Sequence, residues 1–210
     1  MDYSYDIFIS YRRSRNKSEW LMEHFLPLFQ DYLNDEIIDQ CGREARKIFL
    51  DQTEVVAELR QFEEGIHGIE PGLPWRTALS KAICESRCMV GLWSPDYFFS
   101  EWCQIEWKSF EARRQKTNRA TIVPISIHDG KSFPAEAQSL QMINLNDYLI
   151  VGEGFRKSEK YVDFQDKLKN LAKRVAGTVK QAPPFEQWTV ITLQPPPAPP
   201  TIGLTTLAAK

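Results

Sequence analysis

The chain has 210 residues, enough for one well-packed domain with some chain to spare, since domains cluster around ~100–150 residues. Hydrophobic residues make up 42%, charged residues 26%, and the net charge is −2, an ordinary soluble composition with no electrostatic basis for direct nucleic-acid or membrane-surface binding. The longest apolar runs, such as Cys88–Trp93 and Ile122–Ile127, fall far short of the ~20 residues that span a bilayer, and Met1-Asp2-Tyr3 opens without a basic or apolar leader, so a cytoplasmic location is expected.

Tyr5–Ser10 (YDIFIS) reads as a strand, followed by a polar loop and an N-cap at Ser18. Apolar residues at helical spacing from Trp20 to Tyr32 predict an amphipathic helix, which Pro27 should kink or shorten. Lys47–Asp51 (KIFLD) is a second strand ending on a carboxylate. A long polar connection follows, Gln52–Gly72, punctuated by Gly65, Gly68, Pro71 and Gly72, with room for a helical turn around Val55–Phe62.

Pro74–Ser86 predicts a helix opening at proline, where the missing amide donor costs nothing, and the continuous apolar run Cys88–Trp93 suits a strand buried on both faces. Ser100 is positioned to cap a helix from Glu101 to about Gln115. Ala120–Ile127 is a fourth strand, Met142–Leu145 a short fifth, and Lys157–Ala176 a final helix. Such alternation implies right-handed βαβ crossovers, hence a doubly wound parallel sheet with helices on both faces. This domain spans residues 1–177. In the tail, 178–210, Ala182-Pro183-Pro184 and the proline run 194–200 favour an extended, solvated linker, and Phe185–Leu193 is the one stretch there with strand character.

Cys41, Cys84, Cys88 and Cys103 lie in or beside apolar segments with no CxxC pair, and His24, His67 and His128 show no mutual spacing, so no metal site is expected and the thiols read as reduced. Neither GxGxxG nor GxxxxGK[ST] occurs, which disfavours a bound dinucleotide cofactor or a P-loop.

Four ordered pieces, YDIFISYRR, KIFLD, GLPWRTALSKAICES and SPDYFFSEWCQIEW, together resemble the TIR (Toll/interleukin-1 receptor) domain over roughly residues 4–175. The resemblance implies a flavodoxin-like fold with five parallel strands, and makes residues 52–73 the counterpart of the family's BB loop. Many TIR domains cleave the nicotinamide–ribose bond of NAD⁺ using a glutamate on the helix after the third strand, and the matching residue is Glu106. The implied activity is that of a bacterial-type NAD⁺ nucleosidase releasing nicotinamide and ADP-ribose or a cyclic isomer. Its setting would be an immune or antiviral effector driven by TIR–TIR self-association, with a sensor domain or partner protein upstream; NAD⁺ is then substrate and no cofactor is needed. The alternative is a non-enzymatic TIR–TIR signalling module, against which the presence of Glu106 argues.

In an open parallel sheet, ligands bind beyond the carboxyl ends of the strands where strand order reverses, here between the first and third. Ser10, Tyr11 and Arg12 end the first; Trp93 and Ser94 end the third. Arg12 or Arg13 suits the dinucleotide phosphates, Tyr11, Trp93 or Tyr97 a stacked ring, and Asp51 a ribose contact. Trp102 lies at i−4 from Glu106, on the same helix face, where its indole can wall the pocket. Trp93 and Trp107 also suit the core, and Asp51 a loop cap.

Overall fold

The computed structural model describes residues 2–45, 47–50, 66–67 and 75–191. Asp51 and most of the 52–73 connection lie outside the described residues. The strands are β1 (Tyr5–Tyr11), β2 (Lys47–Leu50), β3 (Ile66–His67), β4 (Ser86–Trp93), β5 (Ile122–Ser126) and β6 (Ile143–Asn144). They form one sheet in the order β3-β2-β1-β4-β5-β6, every pairing parallel. The five expected strands are therefore present in flavodoxin-like order. A two-residue strand, β3, which the sequence reading did not contain, is added outside β2. β1 and β4 are buried on both faces, as their unbroken apolar runs require.

One face of the sheet is covered by α1 (Arg15–Trp20), α2 (Leu26–Cys41) and α6 (Glu159–Lys180), which enclose Ile7, Ile9, Tyr11, Trp20, Phe29 and Leu168. The other carries α3 (Trp75–Glu85), α4 (Glu101–Thr117) and the short α5 (Ala135–Gln138), packed around Phe8, Met89, Trp93 and Phe110. The first helix starts earlier than expected, at Arg15, so Ser18 lies inside it and Ser14 occupies the N-cap position.

Pro27 does not end that helix. Proline cannot donate to the carbonyl four residues back and crowds it, and the strain is taken up by a π turn, Leu21–Phe25, that joins α1 to α2. The carbonyl of Glu23 that Pro27 leaves without its helical donor accepts instead from Nη2 of Arg156 at 2.6 Å. α2 closes on Gly42 at φ 64°, a left-handed cap suited to glycine. Past α6, residues 182–191 adopt neither helix nor strand. They lie against the domain, with Pro183 buried and Trp188 only 6% exposed, where a solvated linker was expected.

At the amino edge of the sheet, the fully buried Asp6 carboxylate receives Arg43 Nη1 and Nη2 at 2.9 and 2.6 Å, with Arg87 Nε at 3.2 Å. The Asp6 hydrogen bonds push the Arg43 pKa up. Removing one partner of such a buried pair strands the other charges, so Asp6→Ala should lower stability by about 3–5 kcal/mol, read as a reduced urea midpoint at unchanged slope.

His24 on the π turn is buried, its ring edge-on to Phe155 and Tyr161. Burial, then the Arg156 guanidinium, pushes its pKa below the ordinary imidazole value against the pull of Glu23. A depressed histidine pKa means that the unfolded chain takes up the proton first. The stabilisation is therefore complete above about pH 6.5 and declines as pH falls toward the folded pKa, by at most ~1.4 kcal/mol per pH unit. Denaturation midpoints measured from about pH 7.5 to 5.5 should show that decline, and His24→Phe should flatten it.

Candidate functional site

The β1–β4 ladder pairs Ser10 with Gly91 and Tyr11 with Leu92. Side chains alternate along a strand, so Ser10 shares the α4 face with Phe8, and Tyr11 shares the opposite face with Ile7 and Ile9. Ser100 caps α4, its hydroxyl accepting from the Cys103 amide at 3.5 Å. That cap aims the first turns of α4 at the carboxyl end of β1, and Glu106, 5% exposed, meets Ser10 there.

Ser10 Oγ donates to Glu106 Oε2 at 2.5 Å and lies 2.7 Å from Tyr97 Oη. A serine hydroxyl has one proton, and it is engaged by Glu106, so Tyr97 donates in the second contact. The result is a directed chain, Tyr97 to Ser10 to Glu106. Burial, with the Glu106 charge adding to it, holds the Tyr97 pKa well above the phenol range, which keeps the donor protonated. The Cys103 thiol is pushed up to about 12 by burial and by Glu106, which leaves it inert as a nucleophile.

Gly91 makes the room. A Cβ there would lie 2.5 Å from Trp93 Nε1, so the absence of a side chain lets the indole fold back over β4 beside Ser10. Trp93 is fully buried, with Phe98 and Trp107 at 5.4 and 5.7 Å between ring centroids. It supports the site from behind and presents no open face to a ligand. Trp102 is half-buried one turn before Glu106, edge-on to Trp75 at 4.3 Å and 5.5 Å from the Arg76 guanidinium. It therefore connects α4 to the first turn of α3.

At the rim, Lys17 Nζ contacts Ser94 Oγ at 2.9 Å and both Asp96 oxygens at 2.6 and 2.7 Å, while Ser94 Oγ donates to Asp96 Oδ1 at 2.6 Å. Partial burial raises the Asp96 pKa, but the hydrogen bonds from Lys17 and Ser94 outweigh it and hold the carboxyl below its usual value. Arg12 is exposed, with its charge felt at Cys103.

Of the residues singled out from sequence, Ser10, Tyr97 and Glu106 are in mutual contact or one bond removed, with Trp93 behind them and Trp102 a turn away. Ser94 and Arg12 sit at the rim. Tyr11 is on the other side of the sheet, its hydroxyl 3.4 Å from Ser18 Oγ, and Asp51 is outside the described residues. The sequence reading missed Gly91, Lys17 and Asp96. The glycine inside an apolar strand was a visible signal of close approach, whereas nothing local links Lys17 to a turn 77 residues away. Among the described residues no cluster of His, Cys, Asp and Glu could hold a metal ion, and no helix is long and apolar enough to cross a membrane.

The fold and site define an α/β protein of flavodoxin-like topology with a buried, hydroxyl-held carboxylate at the point where strand order reverses. A family model for the TIR domain matches residues 50–172, and the chain belongs to the TIR family. Among solved structures, the TIR domain of the Toll-related receptor TRR-2 from Hydra magnipapillata is 16% identical, covering 78% of this chain and 98% of that one at a TM-score of 0.41. The TIR domains of the activated Roq1 resistosome, which recognises the pathogen effector XopQ, are 22% identical, covering 83% and 84% at a TM-score of 0.38. No curated protein matches the chain.

Ser10→Ala removes the donor to a buried carboxylate and the acceptor for a buried phenol together. It should lower stability by about 1–3 kcal/mol in urea denaturation, with Tyr97→Phe, which deletes only the outer bond, costing less.

Proposed function

We propose that the protein cleaves the nicotinamide–ribose bond of NAD⁺, with Glu106 as the catalytic carboxylate. The observation that carries this reading is the burial of Glu106 at the carboxyl edge of β1 and β4, oriented by the Tyr97–Ser10 hydroxyl chain in a TIR-family fold. In NAD⁺ the nicotinamide is already cationic and departs neutral, so no general acid is required, in contrast to the leaving oxygen of an ordinary glycoside. Positive charge then develops on the ribose. A carboxylate fixed in a water-poor site stabilises that charge or accepts from the ribose hydroxyls, an effect worth ~3–4 kcal/mol when well placed.

Hydroxyl donors suit this task because they fix the orientation of the carboxylate while leaving its charge in place. In this reading the exposed Arg12 meets the diphosphate and the partly exposed Trp102 a ring, which their burial and charge support. In this reading NAD⁺ is consumed rather than held as a cofactor, the products are nicotinamide and ADP-ribose or its cyclic isomer, and TIR–TIR self-association activates an immune effector.

The test is Glu106→Gln, which keeps the size of the side chain and its ability to accept from Ser10. Nicotinamide release should drop by about 10²–10³-fold while the urea midpoint stays near that of the parent. Chromatography of the parent reaction resolves ADP-ribose from cyclic isomers. Turnover retained by Glu106→Gln would refute the assignment. A parent protein that self-associates and leaves NAD⁺ intact would favour the non-enzymatic signalling module.

A further inference from the structure

The segment after α6 runs along α4, the helix that carries Glu106. Glu186 pairs with Lys116, the Trp188 ring faces the Arg113 and Lys116 cations at 4.7 and 5.4 Å, and the Ile191 amide donates to Ser109 Oγ at 2.9 Å. Positions ascending in the segment meet positions descending in α4, so the two run antiparallel. The segment climbs from the last turn of α4 to Ser109, three residues beyond Glu106 and so ~4.5 Å along the axis. Ser109 Oγ in turn donates to the Ile105 carbonyl at 2.7 Å.

The same segment is fastened to two further elements. The Trp188 carbonyl accepts from Cys84 Sγ at 2.9 Å, at the end of α3. Its indole donates to Tyr3 Oη at 3.0 Å, and Tyr3 Oη donates to the Pro183 carbonyl at 3.0 Å, with Phe185 edge-on to the Tyr3 ring. Arg113, buried beneath Trp188, donates to the Ser86 and Ile83 carbonyls at 2.6 and 2.8 Å, which ties α4 to the α3–β4 junction. Burial lowers its pKa to about 10, so the aromatic face over the guanidinium is a stabilising neighbour. The segment residues that make these contacts, Pro183 to Ile191, lie beyond residue 172, where the family match ends.

We propose that residues 182–191 form a strap that positions α4, and through it Glu106, against Ser10. Trp188 and Ile191 are positioning residues, since they act through the helix and do not touch the site. The effect on turnover rests on Glu106 being the catalytic carboxylate; the effect on α4 does not.

Hydrogen exchange of the full-length protein separates the two. Ser109→Ala removes the acceptor for Ile191 while improving intrinsic helix propensity, and Trp188→Ala removes the anchor. Both should accelerate exchange of α4 amides between Glu101 and Phe110 while leaving those of α2 unchanged, and Trp188→Phe should restore most of the protection. NAD⁺ turnover should fall ~10–100-fold in kcat, the scale set by misplacement of a catalytic group, with KM changed less than about twofold. Unchanged α4 exchange overturns the proposal, as does exchange raised equally in every element or a normal kcat with loosened α4. If the parent protein does not cleave NAD⁺, the enzymatic reading fails and the exchange pattern alone decides the strap.

Discussion

The parallel pairing of β1 with β4 is the constraint on which the rest of the molecule depends. It joins the two strands with the longest buried runs, and β2 and β5 extend the sheet from their outer edges. Its register places Ser10 beside Gly91, and these two small residues open a gap at the carboxyl edge that Trp93, Tyr97 and Glu106 fill. A slip by one residue would turn Ser10 toward α2 and α6 and bring Tyr11 under α4. Both faces of the sheet are packed, so the register is held from both sides.

A buried carboxylate lies at each end of this strand pair, Asp6 on β1 and Glu106 reaching in from α4, and the two are held differently. Asp6 at the amino edge is met by the guanidinium groups of Arg43 and Arg87, an arrangement that compensates the charge where it lies. Glu106 at the carboxyl edge receives a serine hydroxyl, which a phenol in turn supports. The first contact pairs opposite charges, and the second fixes the orientation of a carboxylate through a short, directional hydrogen bond.

Much of the fold was legible because strands and helices announce themselves by period: the alternation, the five main strands, the capping serine of α4 and the i, i+4 placement of Trp102 and Glu106 all come from local pattern. The site was legible only in part. Tyr11 was grouped with Ser10 because both end β1, although a period of two sends adjacent side chains to opposite faces. Lys17 and Asp96 escaped notice because their contact joins elements far apart in the chain, and the π turn before Pro27 because its carbonyl is satisfied by Arg156, also remote. The proline-rich tail read as solvated on composition, yet one tryptophan with a buried arginine and a tyrosine to meet is enough to hold residues 182–191 against the domain.

These long-range contacts share a consequence for α4. Its amino end is set by the Ser100 cap and by Trp102 against Trp75; its carboxyl half is set by Arg113 at the α3–β4 junction and by Trp188 above it. Glu106 lies between these attachments, and its own bond to Ser10 is short and directional, so a small axial or rotational shift of the helix would break it. The hydroxyl–carboxylate contact contributes only about 1.5–3 kcal/mol and does not by itself hold a helix of this size in register. The placement of the carboxylate is therefore a property of the whole helix and of what is packed on its far side, which is why residues well removed from Glu106 bear on whether it meets Ser10 at all.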